Sequence, residues 1–275
     1  MRGDRGRRRR RWPTAGRRVV AALTSAFDLK RTHLDLVLQG KRGNLSSDGE
    51  PARRVILTIL NIFVRPDRAL IGMDTAVVNS QGGQSFEANK FGVLSESGLF
   101  IGWRGDTAAG AILFAECLAA QCYIDFDVIE PEMPRLIVET LETRHQQRIA
   151  QGAPPEVLSS PHCHSIQVGL VGWSKSAGRM RGILFTKQGE AGDVGVEPIS
   201  ATGIIAPGDI IAPSLREPVS SVAAMERVAR AQFDAAKAKG DSLGGGFGGA
   251  LLLIELERDQ VRIRRRRIFE KSVGC

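Results

Sequence analysis

Residues 58–74 read Thr58-Ile59-Leu60-Asn61-Ile62-Phe63-Val64-Arg65-Pro66-Asp67-Arg68-Ala69-Leu70-Ile71-Gly72-Met73-Asp74. Residues 59–64 are almost all apolar, Arg65-Pro66-Asp67-Arg68 is a turn signal, and Ala69–Met73 is a second short apolar run. Together they predict a tight β-hairpin whose strands are buried on both faces. A hydroxyl opens the first strand and a carboxylate ends the second. Lys90 follows Asp74 at the same sixteen-residue interval that separates Asp74 from Thr58. Such a set suits a threonine nucleophile whose own α-amine is the base, with an Asp–Lys pair tuning it, provided Thr58 becomes a chain terminus. Singly, each residue has a plainer role: β-branched Thr fits a strand, Asp ends a turn and Lys is a solvated charge. It is the joint spacing that points to chemistry.

Two glycine-rich stretches extend the pattern. Gly98-Leu99-Phe100-Ile101-Gly102-Trp103-Arg104-Gly105-Asp106-Thr107-Ala108-Ala109-Gly110 reads as a strand, a glycine turn and a helix start. Gly240-Asp241-Ser242-Leu243-Gly244-Gly245-Gly246 precedes the apolar run Ala250–Glu255. With the repeated interval, these motifs resemble the proteasome-type N-terminal nucleophile (Ntn) hydrolases, the proteasome β subunits and their bacterial two-ring relatives, over roughly residues 58–266. The resemblance implies an α+β fold, a four-layer αββα sandwich. It makes Thr58 nucleophile and base, with Lys90 beside the amine and Asp74 holding Lys90. It places the oxyanion donors near Arg104 and Gly105, and gives Asp241 the task of ordering the amine and hydroxyl. The serine expected three residues after Asp241 is here Gly244. A further supporting hydroxyl is either Ser200 or Thr202. Val77, Ala88, Gly102 and Asp106 are implied to flank the substrate pocket, a roomy one given the small side chains. Implied partners are a peptide or protein substrate, copies of the chain in a homo-oligomeric ring, and an ATP-dependent unfoldase; no cofactor is implied.

The chemistry expected of such a residue is specific. An α-amino group has a reference pKa of about 7.7–8.0, so part of it is neutral near pH 7. A neighbouring Lys90 ammonium lowers that value by disfavouring a second cation. The amine then accepts the hydroxyl proton as the oxygen attacks an amide carbonyl.

The chain has 275 residues, 43% hydrophobic and 5% aromatic, enough for a sizeable core. Its net charge of +8 is unevenly placed: residues 1–56 hold 13 Arg and 2 Lys against 5 acidic residues, which leaves the rest slightly acidic. The domain expectation is a disordered basic extension over 1–57 followed by one domain over 58–275. The extension is open to four readings: a nucleic-acid arm, a targeting segment, a propeptide, or a stretch upstream of the true start. Bacterial initiation can use leucine codons, and Leu57 stands directly before Thr58. Family members that process themselves carry glycine there, so the misassigned start is preferred over a propeptide.

Cys117, Cys122, Cys163 and Cys275 form no paired framework, which fits a reduced, cytoplasmic protein. His162-Cys163-His164 is read as loop without metal, since no second ligand cluster accompanies it. No apolar run is long enough to span a membrane. Few aromatics and no reader motif put nucleic-acid binding behind the other functions.

In order, the sequence predicts a polar loop over Val77–Asn89 and strands Lys90–Leu94 and Leu99–Gly102. Helices are predicted at Thr107–Gln121, capped by Asp106, and at Glu132–Gln151. A Pro/Ser-rich connection over Gly152–His164 leads to strands Ser165–Val171, Met180–Thr186 and Val196–Ala201. A helix over Ser220–Lys239 and a closing hairpin, Ala250–Glu255 with Gln260–Ile263, complete the chain. The order fits two stacked sheets between helical layers. Threonine-type peptidase or amidase is the expected function; the alternative is a catalytically inactive proteasome-like scaffold or binding subunit.

Overall fold

The computed structural model describes residues 58–78, 85–120, 124–200, 203–206, 219–238 and 248–267. The expectations for residues 1–57, for Thr202, and for Asp241 and Gly244 lie outside them. The fold is α+β, with two five-stranded antiparallel sheets.

The predicted hairpin is present. Strand β1 (Leu60–Val64) pairs with β2 (Arg68–Asp74), with Leu60 opposite Met73 and Val64 opposite Ala69. All five residues of β1 are buried, which explains a continuous apolar run instead of the alternation of a half-exposed strand. Two short strands follow where a polar loop is predicted: β3 (Ala76–Val78) and β4 (Ser85–Glu87) pair with each other, Val77 opposite Phe86. The Gly/Gln-rich centre of that stretch hides the β-branched and aromatic residues at its two ends.

The second sheet runs β5-β6-β7-β8-β9, from β5 (Phe91–Leu94) and β6 (Leu99–Gly105) through β7 (Ile166–Ser174) and β8 (Arg179–Lys187) to β9 (Gly195–Pro198). Here β9 ends at Pro198, short of the predicted Ala201, with one further bond to β8, from Ile199 N–H to the Gly182 C=O at 2.9 Å. Gly203 N–H donates to the Ser200 C=O at 2.9 Å, and the chain enters the first sheet as β10 (Ile204–Ala206), a strand absent from the sequence expectation. The first sheet is β10-β1-β2-β11-β12, closed by β11 (Leu251–Glu257) and β12 (Gln260–Arg266), both longer than predicted.

Helix α1 (Thr107–Ala119) starts where Asp106 accepts from the N–H groups of Ala108 and Ala109, as expected of its cap. A short helix α2 (Phe126–Ile129) and a 3₁₀ turn (Glu130–Glu132) lead into α3 (Met133–Ala150). The predicted connection contains a helical turn α4 (Pro155–Leu158) and a 3₁₀ turn (Pro161–His164), each opened by proline with its preset φ. Helix α5 spans Val222–Ala238.

Three cores hold these elements. Leu113, Cys117, Met133 and Ile137 of α1 and α3 pack with Leu99, Val168 and Phe185 of the second sheet. Ile62, Ile71, Met73 and Ile254 of the first sheet meet Phe100, Val171 and Leu184 of the second. The approach there is close: a Cβ on Gly169 would stand 2.4 Å from Ile62 Cδ1. Met225, Val228 and Ala229 of α5 pack with Ile59, Leu70 and Leu253. Burying one such Leu or Ile contributes about 1.5–3 kcal/mol, so each core is a substantial restraint.

Candidate functional site

The site grows from hairpin register. Continuing the β1–β2 pairing by one step sets Ile59 opposite Asp74, and the Ile59 N–H donates to Asp74 Oδ1 at 2.9 Å. Thr58 therefore lies one residue beyond the partner of Asp74, which is why sixteen residues separate the two. Lys90 sits directly before β5, with its C=O accepting from Trp103 N–H of β6 at 2.9 Å. Its Nζ is 3.1 Å from Thr58 Oγ1 and 3.0 Å from Asp74 Oδ1. The three side chains predicted from spacing thus meet in space.

All three are buried: Thr58 is 4% exposed, Asp74 0% and Lys90 2%. Burial pushes the Asp74 carboxyl up to about 6, because a carboxylate loses hydration. Lys90 and the backbone N–H groups of Ile59 and Gly248 pull the other way. Burial also lowers Lys90, opposed by Asp74 and reinforced by the positive charge of Arg104. A buried pair so poised, with a hydroxyl in contact, is arranged for proton transfer.

The remaining predicted residues are spread more widely. Arg104 and Gly105 end β6, one and two residues beyond Trp103, whose N–H bonds to Lys90. Gly105 has φ +106° and a Cβ would stand 2.8 Å from the Ser165 C=O, so only glycine fits. Gly102 is buried, and a Cβ there would meet Phe100 at 2.5 Å and Met73 Sδ at 3.1 Å. Asp106 is occupied: Oδ1 caps α1 and Oδ2 receives Arg148 Nη2 at 2.6 Å. Val77 lies in β3 and Ala88 just after β4, its N–H bonded to the Thr75 C=O at 2.8 Å. Ser200 is exposed in the turn before β10.

Two buried polar features carry no sequence signal. Asn61 Nδ2 donates to Gln232 Oε1 of α5 at 2.7 Å, across 171 residues. Thr75 Oγ1 accepts from Ala250 N–H at 2.8 Å and donates to Glu87 Oε2 at 3.2 Å, and Arg265 also binds that oxygen. Only adjacency to Asp74 could have drawn attention to Thr75. Elsewhere, Cys117 and Cys163 are free and buried, and burial raises both thiols, Cys117 to about 12, which leaves them unreactive. Among the described residues no group of His, Cys, Asp and Glu forms a metal cluster, and no helix is long and apolar enough to cross a membrane.

No family model and no curated protein matches the chain. Among solved structures it is similar to Anbu from Hyphomicrobium sp. strain MC1, at 13% identity over 78% of this chain and 89% of that one, TM-score 0.46. It is also similar to Anbu (ancestral beta-subunit) from Yersinia bercovieri, at 11% identity over 77% and 87%, TM-score 0.47. An Anbu (Gly-1) mutant from the same Hyphomicrobium strain gives 16% identity over 78% and 89%, TM-score 0.45. Likeness at these values speaks to no activity, substrate or assembly. It also corrects the family resemblance: the neighbours are Anbu chains, weakly matched, and membership of the proteasome-type Ntn hydrolases is not upheld. The physical reason is that the motifs are local. A hairpin register, a lysine before the next strand and glycine turns specify a cluster of side chains without specifying a family.

Proposed function

We propose that this chain is a threonine-type hydrolase of peptide or amide bonds, acting once Thr58 is the amino terminus. The observation that carries the reading is the contact of Lys90 Nζ with both Thr58 Oγ1 and Asp74 Oδ1 at 3.1 and 3.0 Å. In this reading the α-amine takes the Thr58 hydroxyl proton while Oγ1 adds to the carbonyl. Backbone N–H groups at Arg104 and Gly105 stabilise the oxyanion; one such donor is worth about 10²–10³ in rate. The amine returns the proton to the leaving nitrogen, the C–N bond breaks, and water hydrolyses the ester. Asp74 keeps Lys90 oriented, and Asp241 with Ser200 or Thr202 orders the amine. Val77, Ala88 and Gly102 are the proposed pocket walls, with Asp106 contributing by holding α1.

Residues 58–275 form one domain in this proposal, with residues 1–57 a basic extension that is removed or never made. The three cores support a four-layer αββα order. A cytoplasmic homo-oligomeric ring fed by an ATP-dependent unfoldase would keep folded proteins from so buried a nucleophile.

A second base is favoured by one observation. Burial lowers Lys90, and a neutral Nζ 3.1 Å from the hydroxyl is placed to take its proton directly. Cleavage of a fluorogenic peptide by the full chain and by a chain beginning at Thr58 separates the two. Turnover only by the shorter chain assigns the amine; equal turnover by both assigns Lys90. In either case Thr58→Ala lowers kcat by about 10⁶, to background. A Thr58→Ala rate equal to the parent rules out the role given to Thr58, and no turnover by any form leaves the inactive scaffold.

A further inference from the structure

A cleft of about 170 Å³ lined by Thr75, Glu87, Ala88, Asn89 and Arg265 opens beside the triad. Thr75 follows Asp74 and Asn89 precedes Lys90, so the cleft is lined by the chain neighbours of two triad residues. Its polar groups form a chain from surface to interior: Arg265 binds Glu87 Oε2, and Thr75 Oγ1 donates to the same oxygen at 3.2 Å. Thr75 Oγ1 also accepts from Ala250 N–H at 2.8 Å. Arg265 and Glu87 side chains are 55% and 45% exposed, whereas Thr75 is 1% exposed.

From its inner end, Thr75, backbone contacts run to the segments next to two triad residues. Thr75 N–H donates to the Ala250 C=O at 3.0 Å, so Thr75 grips Ala250 by backbone and side chain together. Gly249 has φ +71°, and a Cβ there would stand 2.4 Å from Thr75 Oγ1, so only glycine lets this backbone close on the hydroxyl. Ala250 directly precedes Leu251, which pairs with Asp74 across β11 and β2. On the other side, Ala88 N–H is bonded to the Thr75 C=O at 2.8 Å, two residues before Lys90.

We propose that Thr75, Glu87 and Arg265 are positioning residues, a relay that clamps the segments carrying Ala250, Asp74 and Lys90 and so sets the geometry of the Asp74–Lys90 pair. Its catalytic meaning rests on the hydrolase reading above. None of the three touches a reacting atom. They act by fixing the backbone on both sides of the pair, Asp74 through its neighbour Thr75 and Lys90 through Ala88, and so the 3.0 Å contact that keeps the carboxylate against Lys90. The other charges on Lys90 are Asp74 itself and Arg104 of β6.

The test uses the full chain with ¹⁵N-labelled lysine, following Lys90 Nζ by NMR through a pH titration, with Lys90→Met assigning the signal. Thr75→Val removes both side-chain hydrogen bonds at nearly constant volume. The relay requires the Lys90 midpoint to fall by about half a pH unit or more, roughly a threefold change in its protonation equilibrium, while Thr75→Ser stays with the parent. A Thr75→Val midpoint equal to or above the parent, or a Thr75→Ser midpoint displaced as far as that of Thr75→Val, overturns the proposal. If Thr75→Val does not fold, the surface variant Arg265→Met decides: a lowered midpoint supports the relay and an unmoved one overturns it. Lys90 reports whether or not the protein cleaves peptides. A moved midpoint with a silent peptide assay therefore removes the hydrolase and leaves the relay standing, and the reverse result removes only the relay.

Discussion

Asp74 and Lys90 meet at 3.0 Å with almost no access to water, and each charge is costly alone. Burial has raised Asp74 to about 6 and lowered Lys90. Above about 6 the carboxylate is charged and holds Lys90; below it Asp74 takes a proton and the lysine loses its counter-charge. The kcat/KM of the active form is thus expected to fall as pH drops through about 6, approaching tenfold per pH unit, and to change again where Lys90 loses its proton. A pH–rate profile measures both changes, and a flat profile from neutral pH to well below 6 removes Asp74 from the mechanism. Asp74→Asn, unable to ionise, loses the acid limb along with most activity.

At the scale of elements, the turn from β6 into α1 joins the second sheet to the helical layer. Asp106 supports that turn twice, capping α1 and binding Arg148 Nη2 at 2.6 Å and Arg144 at 3.6 Å. Removing an N-cap costs about 0.5–2 kcal/mol, and here a half-buried arginine also loses its partner. Asp106→Ala is expected to destabilise the protein by about 1–3 kcal/mol in urea unfolding, with Asp106→Asn between it and the parent because an amide still caps. No change in either variant shows that the turn is held from elsewhere. The sequence supplied the cap, since Asp before Thr107-Ala108-Ala109 is a local signal. It could not supply Arg148, which arrives from another helix 42 residues on.

For the whole molecule, the proposed ring makes a direct prediction. Native mass spectrometry of the chain beginning at Thr58 should show a discrete multiple of the subunit, and a monomer at micromolar concentration would end the ring proposal. If the ring forms, Thr58→Ala leaves the assembly intact, because the hydroxyl lies inside one subunit's hairpin and contacts that subunit's own Lys90. The exposed edge strand β12 bears Arg262, Arg264, Arg265 and Arg266, paired with Glu257, Glu255, Glu87 and Glu226 respectively. Such charges discourage unplanned edge-to-edge pairing of sheets.

The sequence by itself determined the hairpin, the three long helices and the Thr58–Asp74–Lys90 spacing. Each of these follows from interactions between near neighbours: turn residues, caps, and a register that fixes which side chains oppose. Only the tertiary structure decided that β10 joins β1, that Asn61 pairs with Gln232, and that Thr75, Glu87 and Arg265 converge on one cleft. Those partners lie far apart along the chain, and no periodicity or spacing encodes them. They are chosen by the packing of the two sheets, which brings residues distant in the chain into contact. The same limit undid the family resemblance, because motifs of near neighbours describe a site more securely than they describe an ancestry.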